Sequence, residues 1–230
     1  MTEPIIARVE PIRPRGLKVR LHFDVGDPIE VMLEALERSR LGVGDSVPVE
    51  RRRHLLDVDA NVRVRDAALN LVSYRARTRR ELDRRLREKG FAPERIAGCL
   101  DRLEERGLVD DAAVATAFVR DRLRHRPRGR TRLSSELRAK GVDAEVAEDV
   151  IARVFDEEET SDVRLGHEVA AGWVARQSAS LLTALASGER GPDHARAHRR
   201  LIGYLTRRGF RGEAMQAAVR RAIELAGDTP

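Results

Sequence analysis

The sequence predicts a mainly α-helical protein: three tandem three-helix repeats in an elongated, curved array, preceded by a small α+β N-terminal extension with a short β-hairpin. Three observations lead to this prediction. A helix-and-glycine motif occurs three times along the chain, and such self-similarity is typical of repeat architectures. Apolar side chains at a spacing of two, which indicate strands, occur within the first sixty residues. Hydrophobic residues make up 41% of the chain but aromatic residues only 3%, so small aliphatic cores are expected.

The N-terminal extension, residues 1–60, contains the strand signals. Apolar and basic residues alternate over 17–23, which is the pattern of a half-buried strand. The other elements predicted here are strands at 5–9 and 29–31, a turn at 24–27, and helices at 32–40 and 49–57.

The repeating motif occupies residues 82–91, 133–142 and 201–210. Each copy has two apolar residues four positions apart, a basic last turn, a glycine and another apolar residue. Basic side chains suit the negative end of a helix dipole, and the glycine suits a left-handed cap that the apolar residue covers. Small units of this kind are expected to stack on their neighbours. The predicted units are 61–108, with helices at 66–75, 78–89 and 93–106; 109–158, with helices at 110–125, 129–140 and 143–156; and 159–230, with a long first helix at 161–187 and two more at 193–208 and 211–226.

Positive charge is concentrated in the middle of the chain. The net charge is +6 overall, and residues 61–141 carry 22 basic and 12 acidic side chains, a net charge of +10. The flanking regions 1–60 and 142–230 have net charges of −1 and −3. This segregation points to a polyanion or an acidic protein surface as partner. A solvated helical surface with many i,i+4 ion pairs would explain the charge content but not its segregation.

Arginines alternate along 120–132, and such a run cannot lie on one helical face. Pro127 and Gly129 break the helix, so the second half is predicted to be a loop whose arginines fan out toward an extended anion. The alternative is a set of solvated arginines whose stems pack on neighbouring helices. The candidate binding residues of this region are Arg120, Arg122, Arg124, Arg126, Arg128, Arg130, Arg132, Arg138 and Lys140.

A second basic group belongs to the first repeat. Arg80, Arg84 and Arg87 share one helical face, and Glu81 and Asp83 partly neutralise them. A binding face and a salt-bridged surface are therefore equal alternatives. The candidate binding residues of this group are Arg75, Arg77, Arg80, Arg84, Arg87 and Lys89.

Other side chains offer little for chemistry. His194 and His198 have the spacing of a zinc pair, but no glutamate or evident third ligand accompanies them, so no metal is expected. The single cysteine, Cys99, lies among apolar residues and is expected in the core. Tyr74 could stack on a base, but packing in the core is favoured.

Several function classes are excluded by missing patterns. The sequence has no phosphate-binding loop, nucleophile elbow or dinucleotide-binding turn, so we expect no catalytic residue and no cofactor, and the protein is not expected to be an enzyme. It has no 18-residue apolar run and no secretory leader. A cytoplasmic monomer without membrane contact is therefore expected.

Residues 66–156 contain a series of motifs in a fixed order. The pattern Leu69-x-Leu71-x-Ser73-Tyr74-Arg75-x-Arg77-x-x-x-Glu81-Leu82 comes first, followed by Leu86-x-x-Lys89-Gly90-Phe91 and Leu103-x-x-x-Gly107-Leu108-x-Asp110-Asp111. Next come Arg126-Pro127-Arg128-Gly129 and Leu133-x-x-Glu136-Leu137-Arg138-x-Lys140-Gly141-Val142. This series resembles the RecX family. The third unit matches more loosely but keeps Gly209-Phe210.

The resemblance implies three tandem three-helix repeats and a non-enzymatic regulator of the RecA recombinase in DNA repair and the SOS response. Such a protein binds the filament that RecA forms on single-stranded DNA, blocks its extension, and suppresses ATP hydrolysis and strand exchange. The implied partners are the RecA filament and single-stranded and double-stranded DNA. The residues alone leave two alternatives open: a stand-alone, sequence-nonspecific DNA-binding module, and a helical scaffold for an unrelated partner.

Overall fold

The structure is a computed structural model that describes residues 3–12, 17–187 and 191–228. These residues form three strands and eleven helices, which confirms the mainly α-helical class. The chain divides into two compact units, Met1–Asp110 and Asp111–Pro230. No helix of the described ranges has both the length and the apolar character needed to cross a membrane.

The extension contains a three-stranded antiparallel sheet rather than a single hairpin. Its strands are β1 (Ile6–Ile12), β2 (Lys18–Phe23) and β3 (Ile29–Met32), in the order β1-β2-β3. The predicted alternation is confirmed on β2, where Val19 and Leu21 are buried. They pack against the short helix α1 (Leu33–Arg38) and the first half of the next helix.

That next helix, α2 (Val49–Tyr74), is continuous, so the prediction of two separate helices at 49–57 and 66–75 was wrong. No glycine or proline interrupts the segment. Its apolar residues serve two different cores: Leu55 and Val62 pack into the core of the extension, whereas Val64 and Ala68 pack into that of the first repeat. This change of partner hides the helical period, and it places the predicted division at residues 60 and 61 inside a helix.

The buried Asp59 fixes α2 against the sheet. Its carboxylate accepts hydrogen bonds from the backbone N–H of Met32 at 2.6 Å and from Nε of Arg63 at 2.6 Å. Arg65 of α2 also donates two hydrogen bonds to Glu34 of α1. Polar contacts therefore join α2 to both β3 and α1.

The first repeat is completed by α3 (Arg79–Glu88) and α4 (Pro93–Glu105). Thr78 caps α3 by accepting a hydrogen bond from the Glu81 backbone N–H at 3.1 Å, which satisfies one of the free donors of the first turn. Leu82 and Leu86 are fully buried, and Cys99 is only 1% exposed. The expected core position of the cysteine is thus confirmed.

The repeated glycines form the predicted caps. Gly90, Gly141 and Gly209 have φ of 85°, 92° and 89°, the left-handed conformation that glycine adopts without steric cost. In each copy the residue after the glycine donates its N–H to the helix carbonyl five positions back, at 3.1–3.2 Å. The motif therefore marks three equivalent helix ends.

The second unit contains seven helices within the described residues, and they share one continuous core. They are α5 (Asp111–His125), α6 (Arg130–Lys140), α7 (Ala144–Glu157), α8 (Asp162–Val174), α9 (Ala179–Ala186), α10 (Pro192–Arg207) and α11 (Gly212–Gly227).

The long helix predicted over 161–187 was wrong, because the chain breaks it into α8 and α9. Ser178 is extended, with φ −74° and ψ 150°, and begins α9. Trp173 near the end of α8 is buried, its ring centroid 6.4 Å from that of Tyr204. The turn brings Leu182 and Leu185 of α9 into the same core. If α8 continued straight, both leucines would lie away from that core.

Backbone contacts tie the loop between α5 and α6 to the C-terminal helices. The N–H of Gly129 donates to the carbonyl of Arg208 at 2.9 Å. A Cβ on Gly129 would lie 2.7 Å from the carbonyl oxygen of Gly209, so only glycine fits without a shift. In addition, Asp162 at the start of α8 accepts from the backbone N–H of Arg130 at 3.0 Å. The arginine-rich loop is therefore held at both of these points.

Candidate functional site

Three of the candidate arginines surround one carboxylate on α6. Glu136 Oε1 lies 2.7 Å from Arg132 Nε and 3.4 Å from an Arg128 terminal nitrogen, and Oε2 lies 3.4 Å from Arg122 Nε. Arg122 also lies over the ring of Phe118, at 4.3 Å from its centroid. The expectation that the arginines of the predicted loop fan outward is therefore wrong for Arg128 and Arg132, because Glu136 draws them together with Arg122 of α5.

The cluster around Glu136 still has excess positive charge. Burial lowers the pKa of Arg128, and the nearby charges of Arg132, Arg122 and Arg208 lower it further. The Nε atom of Arg128 is buried and has no hydrogen-bond partner among the residues that the structure describes. An anion near this cluster would therefore be attracted.

Other arginines of the second repeat are free for a ligand. Arg124, Arg126 and Arg138 are exposed, and their side chains form no ion pair or hydrogen bond with any residue that the structure describes. Arg130 lies over the ring of Phe155 with its guanidinium carbon 4.1 Å from the centroid. This contact orients Arg130 without neutralising its charge.

The two ends of the candidate region are partly engaged. Arg120 pairs with Glu157 at 2.7 Å and with Glu158 at 3.6 Å, at the C-terminal end of α7. Lys140 lies 5.4 Å from the ring centroid of Phe118.

The candidate residues of the first repeat also include side chains with an acidic partner and side chains without one among the described residues. Arg80 and Lys89 are exposed and have no acidic partner among the described residues, and Arg84 approaches Glu88 only at 3.8 Å. Arg87 pairs with Asp83 at 2.8 Å, and this hydrogen bond raises the pKa of Arg87.

Arg75 and Arg77 lie in the turn between α2 and α3. Arg75 pairs with Glu81 at 3.2 Å. Arg77 Nε donates to the carbonyl of Leu71 at 3.0 Å, and burial lowers the pKa of Arg77. The half-buried Arg77 therefore stabilises the C-terminal end of α2.

Tyr74 was missed as a surface residue. It is 91% exposed, so the expectation that it packs in the core was wrong. The residues of α2 that face the core recur every four positions, at Val64, Ala68 and Val72. Tyr74 follows Val72 by two positions, which places it about 200° away around the helix. This position on the side of α2 opposite the core is the feature of the sequence that indicated an exposed Tyr74.

The histidine pair shows no metal site. The rings of His194 and His198 stack with centroids 5.9 Å apart, and His194 Nδ1 lies 3.1 Å from the Ala184 carbonyl. Within the described ranges, no three His, Cys, Asp or Glu side chains come together in a way that could hold a metal ion.

Comparison with known proteins places this arrangement in a family. Residues 65–103 match the family model of the first three-helix domain of RecX, and residues 110–151 match that of the second. The regulatory protein RecX of Halorhodospira halophila is 34% identical over 165 residues, which cover 72% of this chain and 91% of that protein. The chain belongs to the RecX family.

Further relatives agree. The regulatory protein RecX of Amycolatopsis mediterranei is 35% identical over 148 residues, covering 64% of this chain and 76% of that protein. A crystal structure of regulatory protein RecX superposes with a TM-score of 0.70 at 20% identity, covering 96% of this chain and 98% of that one. The latter shows that the fold is shared. The resemblance read from residues 66–156 is confirmed, and the chain is a member of a family of regulatory proteins.

Proposed function

We propose that this RecX-family protein binds the filament of RecA on single-stranded DNA and inhibits its extension, ATP hydrolysis and strand exchange. It acts by binding, as a cytoplasmic monomer, and catalyses no reaction itself. A bound protein favours whichever filament state it contacts better, so binding alone is sufficient to slow turnover or growth.

The observation that supports this proposal most is the set of exposed arginines and lysine without acidic partners among the described residues. In the second repeat these are Arg124, Arg126 and Arg138, and in the first repeat Arg80 and Lys89. Unneutralised guanidinium groups bind phosphate and carboxylate through paired hydrogen bonds. They suit a partner that presents both DNA phosphates and acidic protein side chains.

The test is ATP hydrolysis by RecA from the same organism on single-stranded DNA, titrated with the protein. Inhibition well below one molecule per RecA supports the proposal and favours a block of filament growth over simple competition for DNA. A chain that binds DNA but leaves ATP hydrolysis unchanged even in excess would refute it.

A second candidate is a stand-alone DNA-binding module. The same free arginines suit DNA phosphates, and the exposed Tyr74 beside Arg75 could stack on an unpaired base. This function predicts DNA affinity that falls steeply with salt as counterions are released. Direct binding to RecA without DNA distinguishes the two candidates, and lack of affinity for both would leave the helical scaffold for another partner.

A further inference from the structure

The second unit has a groove of about 870 Å³ between α6 and α7. This size is within the range of about 300–1,000 Å³ that ligand pockets occupy. Its lining residues are Arg130, Thr131, Ser134, Ser135, Arg138, Glu148, Ile151 and Ala152. Most of the polar ones come from one helix, α6.

The α6 side of the groove is a single cationic, hydroxyl-rich face. At 3.6 residues per turn, its five lining positions fall within an arc of about 140°. The buried Leu133 and Leu137 lie outside this arc and hold the helix to the core. Arg130 and Arg138, at the two ends of the face, are separated by about 12 Å along the helix axis.

Apart from Arg130, which lies over Phe155, the polar side chains of this face have no hydrogen-bond or ion-pair partner among the described residues. Serine and threonine within helices commonly bond back to a carbonyl of their own helix, as Thr116 does to Ala112 at 2.7 Å. The hydroxyl groups of Thr131, Ser134 and Ser135 make no such bond, nor any other with the residues that the structure describes. Arg138 is likewise without a partner there, so the face presents two charged and three neutral donors.

The α7 side has a different character. Ile151 is buried and supplies an apolar floor beside Ala152. Glu148 is exposed at the groove without an ion pair to a described residue, and its charge opposes any anion that enters.

We propose that the groove between α6 and α7 binds the sugar–phosphate backbone of single-stranded nucleic acid. Arginine, serine and threonine are among the side chains that contact phosphate oxygens in nucleic-acid complexes, and two arginines along one helix suit an extended chain of phosphates. An apolar floor suits sugar or base surface, as in other single-strand grooves. An acidic protein segment is the alternative occupant, and the experiment below distinguishes it from nucleic acid.

This inference deepens the proposed function, on which it rests for the identity of the polymer. It assigns to one groove a direct nucleic-acid contact that does not pass through RecA. Its test is accordingly made without RecA.

The experiment measures binding of a fluorescein-labelled oligothymidine to the full chain by fluorescence anisotropy over a range of salt concentrations. Arg138→Ala is expected to weaken binding about fivefold to tenfold at low salt. It should also make the slope of log affinity against log salt less negative by about 0.7, the value for one single-strand phosphate contact. The matched control is Arg200→Ala, which should change affinity less than twofold, because Arg200 is an exposed arginine of α10 outside the groove and has no partner among the described residues.

Glu148→Gln provides a gain-of-binding test that misfolding cannot imitate. Removal of the opposing charge several ångströms from a phosphate should tighten binding about threefold. Wild-type affinity and salt slope in both Arg138→Ala and Glu148→Gln would overturn the proposal.

The same variants separate the groove from the filament function. If Arg138→Ala weakens oligonucleotide binding but still inhibits RecA ATP hydrolysis fully, the groove binds nucleic acid but does not contribute to the inhibition. Unchanged oligonucleotide binding, together with loss of RecA binding in the absence of DNA, would show that the occupant is an acidic protein surface and would overturn the inference.

Discussion

Replacement of Gly129 by alanine should destabilise the second unit, because the loop that contains the candidate arginines is held there by backbone contact. A Cβ at this position would lie 2.7 Å from the oxygen and 2.9 Å from the carbon of the Gly209 carbonyl. Both atoms belong to the backbone and cannot rotate away. The loop must therefore move from α10, which also lengthens the 2.9 Å hydrogen bond from Gly129 to Arg208.

The magnitude follows from three terms. Overpacking costs about 1–3 kcal/mol, and weakening of the hydrogen bond costs about 1 kcal/mol. Alanine lowers the conformational entropy of the unfolded chain, which stabilises the folded protein by about 0.4–1 kcal/mol. It adds no backbone strain, because φ of Gly129 is −69°. The net loss is about 1–3.6 kcal/mol, which lowers the melting temperature of a unit of this size by roughly 4–14 °C.

The assay is urea unfolding followed by tryptophan fluorescence. The chain has one tryptophan, and Trp173 is buried in the core of the second unit, so its signal reports on that unit. Gly172→Ala is the matched control: a Cβ there meets only the end of the Arg176 side chain at 3.8 Å, and the helix interior should gain about 0.5–1 kcal/mol. A Gly129→Ala protein with the wild-type urea midpoint would refute the reasoning.

Three further predictions address binding, reactivity and pH. The double variant Arg124→Ala/Arg126→Ala should weaken inhibition of RecA ATP hydrolysis severalfold with an unchanged circular dichroism spectrum, since neither side chain has a partner among the described residues; full inhibition would exclude both residues from the interface. Burial raises the pKa of Cys99, so a thiol reagent should label it only upon unfolding, and rapid labelling of the native protein would contradict its core position. Hydrogen bonds from Arg65 lower the pKa of Glu34; their stabilising contribution is present above the unfolded pKa of about 4.3 and is lost as pH falls through the folded value. Glu34→Gln should therefore flatten the loss of stability below about pH 4, measured by urea unfolding followed by circular dichroism, and an equally steep loss in the variant would count against this pair.

The sequence by itself determined the features that depend on neighbouring residues. The three glycine caps follow from local backbone sterics, since Gly90 and its two equivalents need no distant partner to adopt positive φ. The strand β2 follows from the alternation of apolar and basic residues. The burial of Leu82 and Leu86 follows from their spacing of four along one helix. The family motifs lie in the same local segments, which is why they were recognisable without a structure.

Only the tertiary structure decided the features that depend on contacts distant in sequence. The continuity of helix α2 was hidden because its two halves pack into two different cores, and α8 ends where α9 must turn back to place Leu185 in the core. The same applies to the candidate site: whether an arginine is free or neutralised depends on an acidic residue that folding brings near it. Arg122 and Glu136 are 14 positions apart, whereas Arg124, two positions further along the chain, has no such partner among the described residues. Composition and spacing reveal where the positive charge is concentrated, but not which of those charges remain available to a ligand.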